Sequence, residues 1–156
     1  MLIYFWKLEN LKQDIQEKQL TEKDKFIYTF ISILFGVIGM ELMILMPTEN
    51  TNIWDLTSGL SNILIVALGI LFAFKANGGA KGIDFLGKYF SISFVVSIRF
   101  LAILIPMFIG LILYYSYVFP DDQEIEATFL DTIPFLIWYI VMYWRIFKHI
   151  RDIKSS

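Results

Sequence analysis

The chain has 156 residues, 57% hydrophobic, 17% aromatic and only 18% charged, with a formal net charge of −2 and no cysteine. Soluble domains average about half apolar and a quarter charged residues, so an ordinary water-soluble core is excluded as the destination of so much apolar surface. The missing cysteine excludes a thiol relay, a disulfide framework and cysteine metal sites, and the slightly negative balance gives no footing for a nucleic-acid partner.

Residues 1–25 open with the apolar run Met1 to Trp6 and continue as a charged stretch without a small-residue cleavage site, so no signal peptide is expected. Tyr4, Leu8, Leu11 and Ile15 recur at helical spacing, with Lys7, Lys12, Asp14, Glu17 and Lys18 opposite them. The pattern predicts a cytoplasmic amphipathic helix lying at the membrane interface. Thr21, three residues ahead of Asp24, reads as a capping box that opens the next helix.

Four apolar blocks follow, at 26–46, 53–74, 89–119 and 129–147. Each reaches or approaches the roughly 20 residues that cross about 30 Å of hydrocarbon. The fold class expected is therefore all-α integral membrane, with four transmembrane helices spanning residues 26–148 and a basic tail over 149–156. The third block exceeds the bilayer and contains Pro106, which predicts a kink, a tilt or a projection beyond the membrane. Asp131 with Pro134 suits the first turn of the fourth helix.

Charge placement orients these spans. Of the 13 Lys and Arg residues, all but Arg99 fall before the first block, between the second and third, or at the end of the chain. The segments 47–52 and 120–128 with their flanks carry only acidic charge. The positive-inside rule puts both termini and residues 75–88 in the cytoplasm, as a multi-pass protein of the cytoplasmic membrane. Aromatic rings agree: Trp54, Tyr114, Tyr115 and Tyr117 mark the outer headgroup level, and Tyr28, Tyr89, Tyr143 and Trp144 the inner one.

The loop 75–88 reads KANGGAKGIDFLGK. Residues 82–88 satisfy G-x-x-x-x-G-K, yet the next residue is Tyr89 where magnesium ligation needs Ser or Thr, and the interior is too apolar to cradle phosphates. A Walker site is rejected. Asn77, Gly78 and Gly79 suit a helix cap and chain reversal, while Lys75, Lys81 and Lys88 face the headgroups. A second role for this basic loop is binding an anionic lipid or a nucleotide-like ligand.

Within the spans three polar groups stand out, Glu41, Asn62 and Arg99. Each is costly in hydrocarbon, so they are expected to meet as an intramembrane polar cluster, with Arg99 paired to Glu41. Gly36 with Gly39, Ser58 with Ser61 and Ser93 with Ser97 are small pairs that permit close helix approach. The single histidine, His149, has no second ligand nearby, and no span holds a histidine to activate Ser58, so no enzyme activity, metal or cofactor is expected.

The function expected is assembly: a homo-oligomeric, channel-like bundle, or a membrane anchor or sensor for a cytoplasmic protein partner, of the kind small bacterial operons encode. The alternative is a small-substrate or proton-coupled transporter working through Glu41 and Arg99. A lone glutamate in a four-helix membrane chain is similar in layout to the small multidrug transporters, a likeness that carries over no residue.

Overall fold

In a computed structural model the described residues are 3–44, 53–118 and 129–154, and they form five α-helices with no strand among them. These are α1 (Leu8–Gln16), α2 (Glu22–Ile44), α3 (Ile53–Ala76), α4 (Phe85–Val118) and α5 (Phe129–Lys154), with one turn of 3₁₀ helix at Gly79–Lys81. Two of them, α3 and α4, are long and apolar enough to cross a membrane by length and composition, and only 6% and 11% of their apolar stretches are buried within the protein. A core helix of a soluble protein would bury most of that surface. Of the other two expected spans, 129–147 falls within α5, whereas 26–46 ends in residues outside the described set.

The starts of these helices follow local chemistry. Thr21 Oγ1 accepts from the Asp24 backbone N–H at 3.2 Å, and the Asp24 carboxylate accepts from the Thr21 N–H at 3.1 Å. This is the reciprocal capping box expected, with Asp in the place usually taken by Glu. Pro134 sits beyond the first turn of α5, since that helix already begins at Phe129; the Asp131 side chain lies outside the described residues. Pro106 is carried inside α4, where its missing N–H leaves the Ala102 carbonyl without the usual donor. At 34 residues α4 is about 51 Å long, well beyond a bilayer's hydrocarbon.

The long helices are ordered α2, α4, α5, α3, each packed on its neighbour, with no broad contact between α2 and α3 or between α3 and α4. In α2 and α4, Tyr28 and Phe35 both meet the Phe94 ring. Across α4 and α5, Phe100 packs on Trp138 and Phe108 on Phe135, an antiparallel pairing. Residues connected in sequence through the 77–84 turn thus part company: α3 turns to α5, and α4 to α2.

Burial is concentrated at one end, called basal below, which holds α1, the 77–84 turn, the start of α2 and the last turns of α5. Leu8, Leu11, Tyr28, Ile92, Val95, Ile146 and Ile150 are buried there to under 2% exposure. Toward the opposite end large apolar side chains face outward, among them Leu60, Ile63 and Leu64 of α3 and Ile109, Ile112 and Leu113 of α4.

Two expectations are corrected at the basal end. The apolar face of α1 is where the sequence put it, but it is covered by α4 and α5 instead of lipid, and the helix spans nine residues rather than the whole of 1–25. Of the four rings assigned to an inner headgroup level, only Trp144 is exposed. Tyr28 is fully buried against the Tyr4 backbone, and Tyr89 and Tyr143 pair their hydroxyls between α4 and α5. The helices converge there, so the polar tips find protein partners in place of water.

Candidate functional site

The turn between α3 and α4 is organised around one side chain. Asn77 is 4% exposed; its Nδ2 donates to the Ile83 carbonyl at 3.3 Å, and its Oδ1 accepts from Lys88 Nζ at 3.2 Å. Gly78 and Gly79 take the positive φ angles of +110° and +59° that reverse the chain, as the sequence implied. Gly82 serves a different purpose, because a Cβ there would stand 2.5 Å from the Asn77 carbonyl oxygen. Lys75 and Lys81 are exposed, whereas Lys88 is half-buried by its bond to Asn77.

Asp84 also has positive φ, +53°, immediately before α4 begins. Its carboxylate meets Lys25 Nζ at 2.6 Å, and Lys25 also meets Glu22 at 2.7 Å. Those two carboxylates, Asp84 first, hold the Lys25 ammonium above the ordinary lysine range. This longer-range bridge ties α2 to the residue just ahead of α4. Gly87 lies directly beneath it: an added Cβ would stand 2.6 Å from Asp84 Oδ1 and 2.8 Å from Lys25 Cδ, so the bridge would have to shift.

Between these groups and the α1–α2 connection lies a cleft of about 440 Å³. Lys18, Lys25, Lys88, Asp84, Gly87 and Ile83 line it, together with the end of α1 and Ile153 of α5. Sequence reasoning found Lys88 and missed Lys18 and Lys25, which it counted only as inside charges; no local pattern ties Lys18 to a loop some sixty residues on.

Of the polar trio, the side chains of Arg99 and Asn62 are described. Arg99 donates from Nε to the Trp6 carbonyl at 3.0 Å and also from Nη2 to the same oxygen, while its guanidinium lies 5.6 Å from the Trp6 ring centroid. Asn62 is on α3, and its buried Oδ1 has no hydrogen-bond partner among the described residues. Glu41 belongs to α2, but its side chain lies outside the described residues.

What Arg99 does is secure the opening segment of the chain. Tyr28 Oη accepts from the Tyr4 N–H at 2.6 Å, Tyr4 Oη donates to Asp14 Oδ2 at 2.8 Å, and the Phe5 ring packs edge-on to Phe94 at 5.6 Å. The acceptor carboxylate of Asp14 raises the Tyr4 phenol above its ordinary range. Residues 4–6 are thus strapped to α1, α2 and α4 at once.

His149 lies at the far side of this core, 7% exposed, with Nδ1 4.0 Å from Asp152 Oδ2 and no hydrogen bond. Burial, then the charges of Lys12 and Arg145, lower its pKa. The neutral form is favoured, which suits a packing residue better than a cation. Among the described residues no group of His, Asp and Glu is arranged to hold a metal ion.

No protein-family model matches this chain, and no curated protein or solved structure matches it.

Proposed function

We propose that this is a non-enzymatic, four-span protein of the cytoplasmic membrane that works by assembly, with its basal end in the cytoplasm as a platform for further copies or a protein partner. One observation carries the reading. The chain spends its tight packing on the basal core and leaves the apolar flanks of a row of helices uncovered, with 6% and 11% burial along the two most apolar stretches. Lipid covers such flanks, and so do neighbouring subunits. A channel-like bundle is one form of this assembly, since a row of four helices closes only against more helices.

The contacts of Arg99 favour this reading over a transporter working through Glu41 and Arg99. A guanidinium held by the Trp6 carbonyl and ring is committed to the fold rather than poised to exchange partners with Glu41. Native mass spectrometry in mild detergent tests the proposal: a discrete oligomer of the 18.3 kDa chain is expected. A strictly monomeric protein that also fails to retain any cytoplasmic protein would overturn it.

A further inference from the structure

We propose that the basal cleft binds the phosphate of an acidic phospholipid, an inference that rests on the membrane reading above. The cleft of about 440 Å³ receives three ammonium groups, from Lys18, Lys25 and Lys88, against the single lining carboxylate of Asp84. That carboxylate is committed to Lys25 at 2.6 Å, and Glu22 meets the same lysine. Among the described residues Lys88 has only a neutral acceptor, the Asn77 amide oxygen, which leaves its charge uncompensated there and two of its three donors over. Lys18 has no side-chain ion pair among the described residues and is held by the backbone in a left-handed conformation, φ +56°. Two uncompensated cations therefore share one concave site with the first turn of α4, whose amides add positive potential.

The surroundings favour a lipid over a free anion. Ile83 lines the cleft and is 79% exposed, and Phe26, next to Lys25 in the chain, is 64% exposed. An apolar side chain this exposed on the wall of a cationic cleft suits a ligand with a phosphate at one end and acyl chains at the other. A headgroup phosphate monoester, carrying up to two negative charges, matches the two free ammonium groups better than a diester does. Lys18 on one side and Lys88 on the other would tie the α1–α2 connection to α4 through the bound phosphate, stabilising the basal core.

The experiment uses the full chain in non-ionic detergent and reads the thermal unfolding midpoint during titration with short-chain phosphatidic acid, short-chain phosphatidylcholine or inorganic phosphate. Phosphatidic acid is expected to raise the midpoint and phosphatidylcholine to leave it unchanged. Changing Lys18→Gln together with Lys88→Gln is expected to weaken the apparent affinity about tenfold, while Lys75→Gln with Lys81→Gln, on the same loop but outside the cleft, changes it less than about twofold. Lys18→Gln alone, which removes no bond seen in the fold, covers the case in which the loss of Lys88 disturbs Asn77, and a weakened response in that variant still supports the site. Equal losses in the two double variants would reduce the effect to diffuse surface attraction and overturn the site. Inorganic phosphate binding as tightly as the lipid would overturn the lipid assignment. Flotation with phosphatidylcholine vesicles separates the two readings: a chain that floats without responding to phosphatidic acid refutes this inference alone, and one that stays in the aqueous phase refutes the membrane reading.

Discussion

Arginine within an apolar helix persists only where its donors are occupied, and Arg99 meets that demand with a main-chain oxygen and an aromatic face. The requirement was legible in the sequence, but the partner was not. Every residue carries a carbonyl, so a backbone acceptor leaves no compositional trace, while Glu41 advertised itself by its charge. The glycines divide in the same way. Gly78 and Gly79 follow Asn77 in a turn whose φ > 0 chemistry is local and therefore readable. Gly82 is needed because the Asn77 backbone approaches it, and Gly87 sits under the Lys25–Asp84 bridge; both approaches exist only after folding. The strap gives a test of Arg99. Arg99→Ala, and deletion of residues 1–6, should each destabilise the protein by about 1–2 kcal/mol, and the two together by little more than the larger single loss. Denaturant unfolding in detergent reads this cycle. Additive losses, or strong coupling of Arg99→Ala to Glu41→Gln instead, would return Arg99 to the intramembrane cluster.

Helix limits were largely written in local hydropathy. The block 53–74 became Ile53–Ala76 and 89–119 became Phe85–Val118, because apolar content is a sum along the chain that no neighbour alters. The pairing of helices was not written there. α3 docks on α5 through Gly69, which no small-residue pattern singled out: an added Cβ would lie 2.3 Å from Tyr143 Cδ1 and 3.0 Å from its Cβ. Gly36, which belongs to a small pair that did attract notice, has nothing within 4 Å of such an atom. Spacing identifies where a close approach is permitted, and only the partner's shape decides where one occurs. Gly69→Ala should therefore cost about 1–3 kcal/mol, since the base of an aromatic side chain cannot swing aside as a flexible tip would. Gly36→Ala should be neutral or gain up to about 1 kcal/mol from helix propensity. Thermal unfolding of both variants at matched detergent decides it, and a Gly69→Ala protein as stable as Gly36→Ala would mean that α3 and α5 do not meet at this point.

At the scale of the whole molecule, the basal end gathers what the charge pattern had already grouped. Lys12, Lys18 and Lys25 precede the first apolar block and Lys88 lies between the second and third, yet they surround one packed core with Lys12 bridged to Asp152 at 3.4 Å. On the proposed topology these basic residues share one side of the membrane, and a charge pattern read as a topological signal would then double as a tertiary one. The absence of cysteine makes the orientation directly measurable, because each introduced thiol is the only one in the chain. Lys81→Cys lies in the exposed part of the 77–84 turn, Ser156→Cys ends the chain, and Gln123→Cys falls in the acidic segment between α4 and α5. A membrane-impermeant maleimide applied to intact cells should label position 123 and should reach positions 81 and 156 only after permeabilisation. Labelling of 81 in intact cells would invert the orientation and place the lysine cleft outside, where the acidic lipids of the cytoplasmic leaflet cannot reach it. Labelling of 81 and 156 on opposite sides would mean an odd number of crossings after the turn, and α5 would then lie along the membrane surface rather than through it.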